Sequence, residues 1–224
     1  MSAFDLVIFD LDGVLVDSEV IACSCLAETL SGDGIAIDVE GVMRRFLGRG
    51  FSEVAAFYAA ETGRPMEEAF RSAYRAQLAQ RLRAALEPMP HAAELLARLA
   101  RPFCLASSSD PERVALSLQL VGLAACFGGR VFTASMVARG KPAPDLFLHA
   151  AAAMGASPSR TLVLEDSVSG ITGARAAGMT AWGFVGGSHC RRPEDRARLA
   201  AAGAHRILAS LAEFDLAAAE TLGA

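Results

Sequence analysis

The 224-residue sequence has no apolar run of the roughly 18 to 20 residues that a helix needs to cross a bilayer. No basic leader with a cleavage site precedes the first apolar stretch, which follows directly after Met1 to Ala3. The sequence has fewer basic residues (21 Lys and Arg) than acidic residues (25 Asp and Glu), whereas a general nucleic-acid binder has more basic than acidic residues. We therefore expect a cytoplasmic protein that binds neither membrane nor nucleic acid.

Paired cysteines are missing as well. The five cysteines are scattered along the chain, and no CxxC pair occurs among them. Neither a disulfide framework nor a zinc site is therefore supported. Reduced thiols in a cytosolic protein are the expected state.

Strand-forming residues are scarce in the first half of the chain after the opening apolar stretch. Between Asp38 and Glu87 almost no β-branched run occurs, so this region is predicted to be helical, as are residues 20–30. Predicted helices in this block cover residues 20–30, 51–61 and 65–86. Gly and Pro residues separate them.

From Pro88 onward, helix and strand patterns alternate. Predicted strands cover 103–106, 130–133, 161–164, 180–184 and 206–208, and predicted helices cover 91–100, 111–121, 145–154 and 169–177, with a terminal helix after the last strand. Alternation of this kind indicates parallel crossover connections. The sequence therefore predicts an α/β fold with a doubly wound parallel sheet. Residues 1–15 and 88–224 form the core, and residues 16–87 form an inserted helical domain.

The first predicted strand ends in two acidic residues. Its apolar run Leu6–Phe9 is followed by Asp10, Leu11, Asp12 and Gly13. Open α/β folds bind ligands at the carboxyl ends of such buried strands. Asp and Gly also favour turns for local reasons, but two carboxylates at one strand end repel each other unless a cation joins them. The pattern predicts cation-assisted chemistry at Asp10 and Asp12.

Polar residues follow three further predicted strands. Ser107 and Ser108 follow the second strand, Lys141 lies in the loop after the third, and Glu165 and Asp166 follow the fourth. Each could be an ordinary helix cap or a solvated loop residue. Their occurrence in order at successive strand ends instead favours phosphoryl transfer.

Phosphoryl transfer explains the residue types. A phosphate monoester repels an attacking carboxylate, and one pair of unit charges about 4 Å apart costs roughly 4 kcal/mol at an effective dielectric of 20. The carboxylates of Asp10, Asp166 and Glu165 suit Mg²⁺, a hard ion that prefers oxygen ligands. Lys141 adds a positive charge, and Ser107 with the N–H groups after it can bind phosphate oxygens near a helix start.

The two first-strand aspartates receive different roles. Asp10 is the better nucleophile and would form an aspartyl-phosphate. Asp12 is the better general acid and base, because it can protonate the leaving alkoxide and then deprotonate the hydrolytic water. Gly13 permits the tight turn that follows them.

Four segments resemble one known family: DLDGVLVDSE, LASSSDPER, GKPAPD and LEDSVSGITGARAAGM. In this order they resemble the haloacid dehalogenase (HAD) superfamily, in its Mg²⁺-dependent phosphatase and β-phosphoglucomutase-like branch. The resemblance implies a HAD-like Rossmannoid core with a small all-α cap domain, and a small phosphorylated substrate. It implies these site residues: Asp10, Asp12, Ser107 and Lys141 for catalysis; Gly13 and Ser108 beside the substrate; and Asp10, the Asp12 backbone carbonyl, Glu165 and Asp166 for Mg²⁺.

The predicted cap carries a cluster of arginines, Arg44, Arg45 and Arg49, around Phe46. Arg45 and Arg49 are predicted to bind a second anionic group of the substrate through guanidinium contacts, although a solvated helix face would explain them equally well. The Asp17-to-Ile21 entry and the Arg45-Phe46-x-Gly48 run resemble bacterial 6-phosphogluconate phosphatases of the family. We expect a small phosphorylated sugar or sugar acid as the substrate.

Two alternatives to a phosphatase stay open. The first is a β-phosphoglucomutase-like phosphosugar mutase, but such enzymes place a histidine twelve residues after the nucleophile, where this sequence has Ala22, and a cap arginine where it has Phe51. The second is a catalytically silent regulator that binds a phosphorylated ligand, because a fold does not fix a function. The sequence carries no signal for an oligomeric state.

Overall fold

The computed structural model describes residues 4–190 and 192–216. Within them, six parallel strands form one sheet in the order β3-β2-β1-β4-β5-β6. The strands are β1 (Leu6–Phe9), β2 (Phe103–Ser107), β3 (Val131–Thr133), β4 (Thr161–Glu165), β5 (Thr180–Phe184) and β6 (Arg206–Leu208). The predicted α/β fold with a parallel sheet is confirmed.

Strand β1 lies at the centre of the sheet because every residue in it is apolar and both of its faces are covered. Val7 and Phe9 point into one hydrophobic cluster, and Leu6 and Ile8 into another, and all four are fully buried. Burying one such side chain stabilises the fold by about 1.5–3 kcal/mol. The strand therefore holds the acidic residues that follow it on a rigid support.

Helices cover the sheet and form a separate block. In the core they are α5 (Ala92–Arg98), α6 (Pro111–Leu120), α7 (Ala124–Phe127), α8 (Asp145–Ala153), α9 (Val168–Ala176) and α10 (Pro193–Ala201). Sequence analysis does not predict α7, which is too short to show periodicity, or α10. The start of α10 does carry helix signals, with Pro193 in the first turn followed by Glu194 and Asp195.

The cap consists of α1 (Glu19–Gly32), α2 (Val39–Phe46), α3 (Phe51–Thr62) and α4 (Glu68–Ala85). These helices enclose their own hydrophobic cluster, in which Leu30, Val42, Tyr58 and Leu82 are almost fully buried. The cap core is therefore distinct from the two clusters that cover the sheet.

Two chain segments connect the cap to the sheet, and they run side by side. The Asp17 N–H donates to the Glu87 carbonyl at 3.0 Å, and the Met89 N–H donates to the Leu15 carbonyl at 2.9 Å. Such a paired crossing is a suitable pivot for motion of the cap relative to the core.

After β6 the chain forms a 3₁₀ turn, Leu211–Glu213, and the described residues end at Leu216. The predicted terminal helix beyond this turn lies outside the described residues. Among the residues that the structure describes, no helix is both long and apolar enough to span a membrane.

Candidate active site

The carboxyl ends of β1, β2 and β4 lie level with one another. Phe9 pairs with Leu105 of β2 on one side and with Leu164 of β4 on the other. Asp10 and Glu165 therefore leave the sheet together, and the Asp10 N–H donates to the Leu164 carbonyl at 3.0 Å. Because the strand order reverses at β1, this edge is also the crevice in which such folds bind ligands.

Lys141 joins the first and fourth strand ends. Its Nζ donates to Asp10 Oδ1 at 2.6 Å, to Glu165 Oε1 at 2.6 Å and to the Ala106 carbonyl at 2.9 Å. All three ammonium hydrogens are thus used, and the side chain is only 2% exposed. Burial opposes the charge, but Asp10 and Glu165 raise the pKa of Lys141 above its ordinary value, so it is a fixed cation.

Acidic groups outnumber the cation around Asp10. Burial is the main cause that raises the pKa of Asp10 well above its ordinary value, and Glu165, Asp166 and Asp12 add to it, against the opposing effect of Lys141. The carboxylates and carbonyl oxygens at this edge are the donors that Mg²⁺ prefers. The donor set therefore fits a divalent cation.

Gly13 lets Asp166 approach the loop that carries Asp10 and Asp12. Its φ is +79°, and a Cβ there would lie 2.1 Å from Asp166 Oδ2, so a side chain would displace the carboxylate. The same oxygen, Asp166 Oδ2, lies 2.9 Å from His189 Nε2. Asp166 is thus in contact with both the first loop and the segment that follows β5.

Glu165 is turned away from this group of donors. Its Oε1 accepts from Lys141, and its Oε2 accepts from the N–H and the hydroxyl of Ser167 at 3.1 and 2.8 Å. In residues 4–190 and 192–216, no three His, Cys, Asp or Glu side chains form a metal-holding cluster. Asp10, Asp166 and the backbone carbonyl of Asp12 are then the donors through which a cation would be held.

Asp12 is fixed by three short hydrogen bonds. Oδ1 accepts from Ser18 Oγ and from Arg113 Nη2, and Oδ2 accepts from Ser109 Oγ, each at 2.6 Å. Burial alone would raise its pKa, but Arg113 and the two hydroxyl groups lower it below the ordinary value. Asp12 is therefore ionised at neutral pH, in contrast to the tendency of Asp10.

Ser107 and Ser108 lie at the start of the segment that leads into α6. Ser107 is buried, and its Oγ accepts from the Ser109 N–H at 3.0 Å, whereas Ser108 is exposed. This segment lies at the start of a ten-residue helix, where an anion is favoured.

A cavity of about 360 Å³ lies between this edge and the cap. Its size falls within the roughly 300–1,000 Å³ typical of small-molecule sites. Of the residues predicted from sequence, the following line it: Asp10, Asp12, Ser107, Ser108, Lys141, Glu165, Asp166 and Arg49. Gly13 and Arg45 are outside the lining. The guanidinium of Arg45 lies over the Phe57 ring, 4.9 Å from its centroid, on the exposed surface of the cap.

Two cavity residues were missed by sequence analysis. Glu19 begins α1, and burial together with Asp12 and Asp166 raises its pKa to about 7. Arg113 lies in the first turn of α6 and reaches the same cavity. Both lie at the ends of the family-like segments DLDGVLVDSE and LASSSDPER, but charged residues in a first helical turn are ordinary, so neither position indicates a role by itself.

Ser18 and His189 were also missed, although each offers a signal. Ser18 directly precedes α1, but its hydroxyl makes no helix cap and bonds to Asp12 instead. His189 follows a Gly-Gly pair after β5, which is one more strand end that carries a polar residue. Burial opposes the charge on His189, but its contacts with Asp166 and Cys190 raise its pKa to about 11.

The cap and the core touch at two points beside the cavity. A Cβ on Gly48 would lie 2.5 Å from Ser167 Cβ, and the Gly48 carbonyl accepts a hydrogen bond from Ser169. On the other side, Arg75 Nε donates to Asp110 Oδ2 at 3.2 Å. The cavity is therefore enclosed by both parts of the chain.

A sequence profile described as haloacid dehalogenase-like hydrolase matches residues 4–178. The chain belongs to this family. Among its haloacid dehalogenase-like relatives is 6-phosphogluconate phosphatase of Escherichia coli, which is 31% identical over 190 residues that cover 84% of this chain and 86% of the relative. Phosphatase relatives of this kind confirm the predicted phosphoric monoester hydrolase.

Two solved structures of haloacid dehalogenase-like proteins superpose over almost the whole chain. A conserved protein of unknown function from Agrobacterium tumefaciens is 39% identical, with a TM-score of 0.81, and covers 97% of this chain and 98% of its own. A hydrolase from Deinococcus radiodurans, with bound phosphate and sodium, is 35% identical, with a TM-score of 0.76, and the coverage is 99% and 98%.

Proposed function

We propose that this chain is a Mg²⁺-dependent phosphatase that hydrolyses a small phosphorylated sugar or sugar acid through an aspartyl-phosphate. The observation that carries the proposal is the contact of Lys141 with Asp10, 2.6 Å from Nζ to Oδ1, at the floor of the cavity. This contact places a fixed cation beside the nucleophile, where the phosphate dianion has to approach.

In the first step, a carboxylate oxygen of Asp10 attacks phosphorus while the bond from phosphorus to the leaving oxygen breaks. Lys141 supplies a fixed positive charge beside the phosphate, and the backbone N–H groups after Ser107 bind its oxygens. Asp12 gives a proton to the leaving oxygen. Asp12 receives that proton when the substrate is present, because a neighbouring dianion raises the pKa of a carboxyl group.

In the second step, Asp12 takes a proton from a water molecule that attacks the aspartyl-phosphate. The bond from phosphorus to Asp10 breaks, and phosphate and free Asp10 result. Asp10, Asp166 and the Asp12 carbonyl would hold Mg²⁺, whose positive charge would reduce the repulsion between Asp10 and the phosphate. Contact of Gly48 with the core excludes bulk water and so protects the intermediate.

The substrate class rests on the cavity and on the relative from Escherichia coli, whose name gives 6-phosphogluconate as its substrate. The cap contributes apolar side chains together with the basic residues Arg49, Arg75 and Arg83 to the lining. A guanidinium in such a position can bind a carboxylate or a hydroxyl group of the leaving portion. The volume of about 360 Å³ fits a phosphorylated sugar rather than a polymer.

The decisive experiment is phosphate release from a panel of sugar phosphates and phosphorylated sugar acids, with Mg²⁺ and with EDTA. Wild type should release phosphate only with Mg²⁺, and Asp10→Asn should release none. The matched control is Asp5→Asn, at the opposite end of β1 on the surface, which should act like wild type. No release from any compound would contradict the proposal, and isomerisation of a sugar phosphate in the presence of a bisphosphate would identify a mutase instead.

One residue that lines the cavity argues against a mutase. Ala22 lines it at the position where β-phosphoglucomutase-like enzymes are expected to carry a histidine. The only histidine that approaches the catalytic carboxylates in the described part of the chain is His189, which contacts Asp166 from the core.

A further inference from the structure

The hydrogen bonds to Asp12 are distributed unevenly between its two oxygens. Among the described residues, Oδ1 accepts from two donors, Ser18 Oγ and Arg113 Nη2, whereas Oδ2 accepts from one, Ser109 Oγ. A carboxylate oxygen has two lone pairs in the plane of the group. Oδ1 is therefore fully engaged, and Oδ2 retains one lone pair that can accept a proton.

Arg113 is the only charged donor in this set. It lies in the first turn of α6, its side chain is 22% exposed, and it reaches the cavity beside Glu19. Burial opposes its charge, but Asp12, Tyr74 and Glu19 raise the pKa of the guanidinium above its ordinary value. Arg113 therefore remains a cation in every state of the reaction.

The contact between Arg113 and Asp12 is a single-point contact. One nitrogen, Nη2, meets Oδ1, and the buried Nε has no hydrogen-bond partner within the part of the chain that the structure describes. A purely structural arginine pair is commonly bidentate, and a buried N–H without a partner costs stability. This unpartnered N–H lies next to Asp12, the proposed acid and base, and its cost in stability therefore indicates that Arg113 is constrained by function.

We infer that Arg113 is a positioning residue for proton transfer: it holds Oδ1 of Asp12 so that Oδ2 faces the reacting oxygens. The inference rests on the proposed phosphatase function. In the first step, the proton on Oδ2 passes to the leaving alkoxide as its bond to phosphorus breaks and the bond from Asp10 to phosphorus forms. In the second step, a water proton passes to Oδ2 as the water oxygen bonds to phosphorus and the bond to Asp10 breaks.

A comparison of leaving groups tests this role. 4-Nitrophenyl phosphate releases a stable phenolate that needs little protonation, whereas 6-phosphogluconate releases an alkoxide that must receive a proton. For Arg113→Met, kcat/KM with 6-phosphogluconate should fall by about 100-fold or more, the scale of general acid catalysis. With 4-nitrophenyl phosphate it should fall by less than about 10-fold, because a displaced acid matters less there. Because kcat/KM reports the steps up to formation of the aspartyl-phosphate, the shared second step does not mask the difference.

Two further variants separate positioning from a structural role. Arg113→Lys keeps the charge but reaches less far, so it should recover part of the loss with 6-phosphogluconate. The Asp12→Asn variant should already have lost the difference in kcat/KM between the two substrates. Adding Arg113→Met to this variant should leave the ratio of the two kcat/KM values unchanged. Thermal melting of each variant shows whether it is folded, and Arg113→Lys carries the comparison if the Met variant does not fold.

The outcomes are distinct from those of the proposed function. Equal loss with both substrates, or a further change of the ratio in the Asp12→Asn background, would overturn the positioning role while leaving the phosphatase intact. Absence of phosphate release from both compounds by the wild type with Mg²⁺ would contradict the phosphatase itself, and the inference with it.

Discussion

The Nζ atom of Lys141 lies 2.6 Å from Oδ1 of Asp10, and the same atom lies 2.6 Å from Oε1 of Glu165. Lys141 is also the only lysine in the sequence, since the other basic residues are arginines. A compact ammonium with three donors fits between two carboxylates and a carbonyl, whereas a planar guanidinium does not. One side chain therefore ties the nucleophile to the acidic end of β4.

Lys141→Met should disable catalysis at the active site and also lower the free energy of unfolding. Removal of one partner from a buried ion pair costs about 3–5 kcal/mol, and loss of the fixed cation beside the nucleophile should lower kcat at least about 100-fold. Burial already raises the pKa of Asp10 above its ordinary value, and loss of the opposing charge of Lys141 should raise it further, so the stability that remains is greatest at low pH and is lost as pH rises.

Thermal melting in EDTA checks this dependence on pH. The difference in Tm between wild type and Lys141→Met should be larger at pH 8 than at pH 5.5. Lys141→Arg is the matched variant that keeps the charge, and it should also be inactive because its geometry is wrong. A fully active Lys141→Arg would mean that the position needs only a positive charge.

Glu19→Gln should change how stability depends on pH. Burial, with Asp12 and Asp166, raises the pKa of Glu19 from 4.5 to about 7. Because the pKa of Glu19 is raised in the folded state, protonation of this carboxyl group stabilises that state, and the whole of the stabilisation is present below pH 4.5. The stabilisation is lost as the pH rises to about 7. The variant is neutral throughout, so its Tm relative to wild type should increase between these pH values and then remain constant.

The control for that measurement is Glu94→Gln, at an exposed position on α5. Melting curves in EDTA should show no pH-dependent difference between this variant and wild type. Parallel Tm profiles for Glu19→Gln and wild type would show that Glu19 is not titrating in this range.

Gly48→Ala should prevent the cap from seating on the core. The Gly48 φ is +70°, and a Cβ there would lie 2.5 Å from Ser167 Cβ. We expect kcat/KM to fall by about 10-fold or more, because closure excludes water and positions the substrate. Gly63→Ala is a matched control with the same φ of +70° and open space around the Cβ.

Both alanine variants bear the same backbone strain, about 1–2 kcal/mol for a left-handed residue that is not glycine. Gly63→Ala should therefore lose a few degrees of Tm and retain its kcat/KM. If the two variants lost activity equally, the contact between Gly48 and Ser167 would have no role in closure.

Arg49→Ala should raise KM for substrates that carry a second anionic group. Arg49 lines the cavity and is held by Glu53 at 2.7 Å, whereas Arg45 lies over Phe57 on the surface of the cap. Kinetics with 6-phosphogluconate and with glucose 6-phosphate should show a selective increase in KM for the former, by about 10-fold for one lost charged contact. Arg45→Ala should leave both KM values unchanged, and an equal effect of the two substitutions would assign neither arginine to the substrate.

Much of the core could be predicted from sequence because local patterns agree with the fold. The run Leu6–Phe9 is apolar at every position, which only a strand buried on both faces requires, and the helix and strand patterns after Pro88 alternate as parallel crossovers demand. Helix α10 was missed even though Pro193 and the acidic residues after it mark its start. Where the predicted and observed ends of an element differ, they differ by one to three residues, as is common at helix and strand ends.

The site divides in the same way. Asp10 and Lys141 could be assigned because their residue types and their places after predicted strands match the chemistry of phosphoryl transfer. Arg113 and His189 could not, because their roles depend on which side chains meet across 101 residues in one case and on a loop after β5 in the other. Arg45 and Arg49 look alike in the sequence, yet only Arg49 lines the cavity.

By itself, the sequence determined which strands are buried and which residues come directly after them, since both depend on the hydrophobic pattern along the chain. It also determined what reaction those residue types favour, because that depends on their local chemistry. The tertiary structure alone decided which oxygen of Asp12 accepts two hydrogen bonds and which accepts one, that Glu165 is bound to Lys141 and Ser167, and which of Arg45 and Arg49 lines the cavity. The physical reason is that hydrogen bonds and ion pairs act over a few ångströms between residues distant in the chain, so their partners exist only after the sheet and the cap have packed.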